Sequence, residues 1–577
     1  MGWSFLVENT LKISTKGSLR TKTGSIHDLD TVGANMVQLG PKRRRDRLGV
    51  FLSTAPYPFI IRLFVRWLRF GEHSLRRRES MKRFVCILAA VLMMTAAVRA
   101  QAATEVRMTG DALVYGNFFA NRNFTGWNSA KWINEAGTIQ GAGTKTEDRF
   151  EIWERFRLRS DFIANEAVKF RLGVLVEDTW GHGTFTAANP AVAVEVYQAY
   201  LQFKWPGCDI QISAGLQPAS IPQSSFFAGS IVFDEDVASL IISAPLIPDH
   251  LSLVLAYVRT ISSDRTYAPT TQSVYSNEEG YMLALPITVE GFKATPWALF
   301  GVGGKGGHYL SEAGWAEGLI SSGLFTVGPV GWKNNFITAL WAGTTLELTT
   351  FDPFKFYADV IWGQHGMNEY RKNVRNGWFI DAAAEYTGLT MVTPQAFGFW
   401  STGEDSSTRN GSERMPNFFP GSGRGGEHNG GTQSWNAGNS FLFDGGQELV
   451  KGSNMGISPV GAWGAGASLN NMSFIDQLTH RLTFAYVHGN NSAKAIRYAN
   501  FVLGSNPIFQ MGRDLTDKEW VIGLNFDTKY MLYENLALIL ETGWAIPSEF
   551  QKNVWGRRLA NKAEDAWKVA FGLKYTF

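Results

Sequence analysis

Arg155, Arg157 and Arg159 alternate with Phe156 and Leu158. Successive side chains of an extended strand point to opposite faces, so the three guanidiniums share one face and the apolar pair the other. Lys169 and Arg171 repeat the pattern against Phe170 and Leu172. Cations aligned on one face of a sheet form a wall that attracts anions. Asp234-Glu235-Asp236 carries the opposite charge and is expected in the loop after a fifth strand, Pro218 to Asp236, with Ser224, Ser225, Phe226 and Phe227. Folded inward, that loop would set carboxylates against guanidiniums and create a transverse field across a narrowing. In the competing arrangement the arginines pair only with Glu151 and Asp161, and the triplet lies outside. The triplet also offers oxygens to a calcium ion, but a charged channel loop is the favoured reading and no metal site is assigned.

Other chemistries find little support. Walker A, H-E-x-x-H, C-x-x-C and G-x-S-x-G patterns are missing from the sequence. Gly301-Val302-Gly303-Gly304-Lys305-Gly306 fits G-x-G-x-x-G. A dinucleotide site also needs a following helix and an acidic residue in a βαβ unit. Another strand is expected next, so the stretch reads as a flexible loop. His182, His428 and His488 fall in loops or strand ends. Two cysteines, Cys86 and Cys208, make neither a disulfide framework nor a four-cysteine zinc site. Neither an enzyme nor a cofactor is expected.

These residues sit in a chain of uneven composition. Residues 1–102 hold 18 Lys and Arg against 6 Asp and Glu, out of 54 and 51 in all; residues 103–577 therefore carry 36 against 45, a net of −9. An acidic body argues against a nucleic-acid binder. Met81 opens an export signal: Lys82 and Arg83, an apolar run from Phe84 to Ala97, and the small-x-small site Ala100-Gln101-Ala102. Fourteen apolar residues are too few to span ~30 Å of hydrocarbon as a helix. Residues 81–102 are therefore expected to be a cleaved signal peptide, and 103–577 the mature chain. Residues 1–80, with basic clusters at Lys42–Arg45 and Arg76–Arg78, read as a spurious upstream extension.

Beyond Ala103 the recurring pattern is alternation over about ten residues, the signature of strands with one apolar face. Eighteen strands are expected, near 105–118, 147–163, 168–178, 192–205, 209–218, 236–245, 250–260, 278–287, 291–301, 336–348, 353–363, 376–387, 389–401, 459–470, 478–488, 518–529, 534–545 and 566–577. Merging weak strands such as 236–245 and 278–287 would give 16. Short turns alternate with long loops, the largest near 402–458, whose Gly, Asn and Ser content reads as a solvated surface cover. Short periplasmic turns and long extracellular loops describe an all-β fold, a transmembrane antiparallel β-barrel. Closure follows from the solvent, because hydrocarbon leaves an open sheet edge unsatisfied. The end of the chain is the most specific feature. Trp567, Val569, Phe571, Leu573, Tyr575 and Phe577 share one parity. This resembles the last-strand signal by which the barrel-assembly machinery recognises outer-membrane barrels, so Trp567, Phe571, Tyr575 and Phe577 are its expected residues.

Several stretches carry a family resemblance: Ala103-Thr104-Glu105-Val106, Gly110-Asp111-Ala112, Asn123-Phe124-Thr125-Gly126-Trp127-Asn128, Ser440-Phe441-Leu442-Phe443-Asp444-Gly445-Gly446-Gln447-Glu448 and His480-Arg481-Leu482-Thr483-Phe484-Ala485-Tyr486. With them the chain resembles the homotrimeric outer-membrane porins best known from sulfate-reducing bacteria. The resemblance implies a trimeric diffusion channel. The expected function is passive diffusion of small hydrophilic solutes and ions through a wide, water-filled lumen in the outer membrane of a Gram-negative bacterium. Lining residues would be Arg155, Arg157, Arg159, Lys169, Arg171, Asp234, Glu235 and Asp236. Outer-membrane lipid and further copies of the chain are the expected partners. A substrate-specific channel for sugars or carboxylates is the alternative, with Trp153 and Tyr357 as weak hints of an aromatic track; an enzyme barrel is less favoured.

Overall fold

The computed structural model describes residues 104–126, 132–133, 139–140, 149–181, 194–262, 277–304, 333–407, 410–418, 435–449, 454–502, 509 and 511–577. The expected signal, the segment before it and part of the longest loop lie outside the described residues. Eighteen strands form one antiparallel sheet among those described: β1 Glu105–Ala120, β2 Arg149–Asn165, β3 Val168–Thr179, β4 Glu195–Lys204, β5 Gln211–Ser220, β6 Asp234–Ile247, β7 Leu251–Ser262, β8 Asn277–Ala284 with its continuation Ile287–Val289, β9 Phe292–Gly304, β10 Phe336–Leu348, β11 Phe354–His365, β12 Arg375–Tyr386, β13 Thr393–Ser401, β14 Ala462–Ile475, β15 Leu478–Gly489, β16 Trp520–Tyr533, β17 Leu536–Pro547 and β18 Ala566–Thr576. Each pairs with its chain neighbours. The sheet closes where β1 meets β18, from Asp111 opposite Thr576 to Ala120 opposite Trp567. The expected count of 18 is met and 16 is not, since the two weak strands are β6 and β8. The break in β8 falls at Leu285-Pro286, where proline cannot donate to the ladder.

Connections alternate in length. The short ones are 166–167, 205–210, 248–250, 290–291, 349–353, 387–392, 476–477 and 534–535, all at one rim. At Glu290-Gly291 the glycine takes φ 73°, a left-handed value that lets two residues reverse the chain. The other rim carries the long connections, including 221–233 and 402–461.

Side-chain parity sorts the wall into two surfaces. Trp567, Phe571, Tyr575 and Phe577 face outward and remain 41–52% exposed. On the opposite parity of β18, Lys568 and Ala570 are buried inside. An outward aromatic row near the long-loop rim includes the cross-strand pairs Phe118–Phe150, Trp544–Trp567, Trp400–Trp463 and Trp362–Trp378. A second row near the short-turn rim includes Phe162–Phe170 and Phe354–Tyr386. An apolar belt between two aromatic girdles is the lipid-facing surface of a transmembrane barrel. Glu154, a charged residue on the apolar parity of β2, lies at the long-loop end of that strand and accepts a 2.9 Å hydrogen bond from Trp180 Nε1.

Phe577 completes the closure. Its N–H donates to the Gly110 carbonyl at 3.1 Å and its carbonyl accepts from Gly110 N–H at 2.9 Å. Its ring packs beside Tyr575 and Phe156, with centroids 5.7 and 6.2 Å away. Deleting Phe577 removes both seam hydrogen bonds, about 0.5–1.5 kcal/mol each. The deletion is predicted to lower the heat-modifiable fraction in gel shift of isolated membranes; an unchanged fraction would refute a role in assembly.

Candidate functional site

Inside the barrel, β1 to β3 build a wall of cations. Register places Asp111 opposite Arg157, Leu113 opposite Arg155 and Thr109 opposite Arg159, all on the lumen face. Asp111 is shared: Arg155 Nη2 donates to one carboxylate oxygen at 3.1 Å and Arg157 Nε to the other at 2.8 Å. Arg171 grips Asp161 through two bonds of 2.6 and 2.7 Å, the planar fork that matches a carboxylate. Arg159 Nε donates to Tyr197 Oη at 3.0 Å. Among the described residues, neither Arg159 nor Lys169 has a carboxylate within 4.0 Å. The wall thus keeps unneutralised positive charge. Facing lipid instead, an arginine would cost ~2–4 kcal/mol near the midplane.

The connection 221–233 folds into the barrel. It reaches the far wall, where Asp359 of β11 accepts from Ser224 N at 3.0 Å and Ser224 Oγ at 2.6 Å. Glu347 of β10 accepts from Ser225 N at 2.7 Å. Phe226 lies against Tyr357, with centroids 5.6 Å apart. Ile221, Phe227, Ile231, Val232 and Phe233 are buried.

A second inward segment corrects the expectation for 402–458. Its described parts are not a surface cover: Met415, Phe418, Trp435, Phe441, Leu442, Phe443 and Leu449 are at most 1% exposed. Trp435 meets Phe379, Phe399 and Phe443 edge-on at 5.0–5.5 Å, stacks with Phe227 at 5.8 Å, and donates to Asp381 of β12 at 2.8 Å. Phe441 N donates to Asn525 of β16. Glu541 of β17 accepts from Glu448 N at 2.9 Å and Leu449 N at 3.1 Å. The wall leaves room at Gly523 and Gly543: a Cβ there would lie 2.5 Å from Leu442 Cγ and 2.7 Å from Phe441 Cδ2. The two segments also join each other, Ala228 pairing with Asn436 and Phe418 N donating to the Val232 carbonyl at 3.0 Å. Much of the lumen on the β6–β17 side is therefore filled, and the wide open lumen expected from sequence is replaced by a narrowed one.

The acidic triplet is not in the inward loop. Asp234, Glu235 and Asp236 are the first residues of β6, because Phe233 ends the buried run and the ladder with β5 starts at Asp234 opposite Ser220. Glu235 shares parity with buried Val237 and Ser239, whereas Asp234 and Asp236 alternate with it. The Asp236 carboxylate accepts from Gln198 at 3.1 Å and feels the charges of Arg157 and Arg159. Asp111, absent from the expected pairings, is the arginines' main partner; the long connection 121–148 leaves the register of β1 on β2 open in sequence, so nothing there identified it. Trp153 and Tyr357 are on the lumen parity but not on one track. Trp153 packs against the cluster of Leu113, Tyr115 and Leu449, and Tyr357 sits under Phe226. Gly301–Gly304 of the glycine motif lie in β9 and not in a loop.

Lys529 of β16 and Lys574 of β18 clasp the Glu448 carboxylate, the first at 3.0 Å. Burial pushes the Glu448 carboxyl up, but the hydrogen bond from Lys574 and the two lysine charges outweigh it and hold it at about 2. Glu404, at the long-loop end, behaves oppositely: burial pushes its carboxyl up to about 7 against the bond from Ser412 and the charge of Arg414.

No family model and no curated protein matches the chain. Among solved structures it is similar to the outer membrane protein OprD from Pseudomonas aeruginosa, at 12% identity over 83% of this chain and 96% of that one, TM-score 0.44. It is also similar to Pseudomonas aeruginosa OccK8 (OprE), at 10% identity over 82% and 98%, TM-score 0.43, and to Acinetobacter baumannii OccAB3, at 10% over 82% and 99%, TM-score 0.40.

Glu404 gives the long-loop end a pH dependence with a definite sign. Its folded-state value of about 7 lies above the ordinary 4.3 of an unfolded glutamate. The folded state holds the proton longer, so packing of this region weakens as pH rises through that window. Limited proteolysis within residues 402–418 is predicted to quicken between pH 5 and 8 relative to an unfolded control peptide. Glu404→Gln should flatten the profile, and an equally steep profile in that variant would contradict the assignment.

Proposed function

We propose that the chain is an outer-membrane channel selective for small anionic solutes, chiefly carboxylates, and not an enzyme. This is the substrate-specific alternative, favoured over unselective diffusion. The observation that carries it is the narrowing of the lumen by two seated segments beside a wall with unpaired guanidinium and ammonium groups. A narrow passage with low-dielectric walls focuses the field of its charges on passing ions. Arg157 and Arg171 have side chains 30% and 24% exposed, reachable while held in place by Asp111 and Asp161. Arginine in a fixed orientation recognises a carboxylate through two parallel hydrogen bonds.

We also read the chain as a member of the outer-membrane homotrimeric porins best known from sulfate-reducing bacteria, exported through a signal cleaved after Ala102 and inserted by the assembly machinery. The stretches quoted above support this reading. One of them, Ser440 to Glu448, is the part of the second segment seated on β16 and β17. Chemical cross-linking of detergent-extracted protein that stopped at the monomer would refute the trimer.

Planar-bilayer recording in a salt gradient tests the channel. The parent protein should favour chloride over potassium. Arg157→Ala with Arg159→Ala should move the reversal potential toward cation preference and weaken block by succinate about tenfold, the equivalent of one charge-assisted hydrogen bond pair. Cation preference in the parent, or no shift in the variant, would overturn the anion-selective reading.

A further inference from the structure

We propose that Lys529 and Lys574 form a second anion site in the lumen, filled at rest by the chain's own Glu448 carboxylate, which a permeating carboxylate displaces. The inference rests on the anion-selective reading and extends it to the wall formed by β16 to β18. The two lysines stand on alternate strands, opposite Ile539 and Ala537 of the intervening β17. Among the described residues, Glu448 is the carboxylate within ion-pair reach of either lysine, and it bridges both. The nearby acids are engaged elsewhere: Glu541 with Lys568 at 3.1 Å and with two backbone N–H groups, Asp527 with Asn525 at 2.9 Å and Arg481 at 3.8 Å.

The side chain of Glu448 is not needed to hold its segment. Glu541 already fixes the backbone at Glu448 and Leu449, and Leu449 is fully buried among Leu113, Tyr115, Ala537, Ile539 and Ala570. The carboxylate is therefore a tethered ion, part-exposed at 30%, between lysines exposed by 40% and 24%. A permeating carboxylate offers both lysines the same oxygens as the tethered one, so it can replace Glu448 without leaving either ammonium unpaired. The site also continues the arginine wall. Lys574 is opposite Leu113, which is opposite Arg155. At ~4.8 Å per strand the lysine is about 10 Å from that arginine in one cross-strand row, with the buried Leu113 between them.

The test is block of chloride current by succinate in planar bilayers. Glu448→Gln keeps the side-chain shape and frees both lysines; the half-blocking concentration should fall about tenfold, with saturable block. Adding Lys529→Gln and Lys574→Gln to that variant should return it to the parent value or above. Unchanged block in Glu448→Gln, or a gain that survives loss of both lysines, would overturn the second site. So would a Glu448→Gln channel with larger, noisier current, because the side chain would then be a structural pin. These outcomes separate from the first reading. If the arginine variants shift selectivity while Glu448→Gln does nothing, the channel reading stands and the second site falls. If the arginine variants do nothing, the anion-selective reading falls whatever Glu448 does.

Discussion

A chain that leaves the sheet and enters the lumen must find acceptors for the N–H groups it takes from the ladder. An orphaned buried N–H costs about 1–3 kcal/mol. Here the wall supplies the acceptors as single carboxylates and amides on the inward parity. Asp359 and Glu347 hold Ser224 and Ser225; Asp381 holds the Trp435 indole; Asn525 and Glu541 hold Phe441, Glu448 and Leu449. The dependence is mutual. A carboxylate on a barrel wall without such donors would be a buried charge without compensation. Glu541 adds the fully buried Lys568 ammonium to its two backbone donors, an arrangement that costs about 3–5 kcal/mol if one partner is removed.

From this seating follows the asymmetry of the lumen. The acceptors lie on β10, β11, β12, β16 and β17, so the two segments fill that side and their aromatic side chains interlock over it. The cations of β2 and β3 face the remaining space. Arg155, Arg157 and Arg171 are held by Asp111 and Asp161, which orient them, while Arg159 is held by a phenol that leaves its charge intact. A fixed field across a narrowed passage therefore needs no acidic loop opposite the arginines. The far wall carries further acids, and Asp359, Glu347 and Glu541 among them are committed to backbone donors.

Much of the barrel was legible because a strand exposes its periodicity directly. Phe156 and Leu158 against Arg155, Arg157 and Arg159 set both faces of β2, and Trp567 to Phe577 set those of β18. Turn brevity then gave the alternation of rims. What the residues hid was the content of the lumen. The stretch 402–458 is rich in Gly, Asn and Ser and reads as a solvated cover, although it also contains Phe418, Trp435, Phe441, Leu442, Phe443 and Leu449; without a period, apolar residues in a loop do not say which surface they meet. The pins were equally silent. Asp359 and Glu541 are isolated acids on a lumen parity where any polar residue is admissible, and their partners lie 135 and 93 positions away in sequence. Asp234 to Asp236 misled by clustering, since the charge run suggested a loop where the ladder of β6 had already begun.

The single-channel current of the variant Asp359→Ala with Glu541→Ala tests the seating most directly. Each substitution strips acceptors from one inward segment while leaving the backbone ladder in place, and Lys568→Met is added so that no ammonium is stranded in the wall. The expected result is a heat-modifiable barrel with larger and noisier openings, because both segments lose their hold on the wall. A folded variant with the parent's current and noise would show that the carboxylates do not seat the segments.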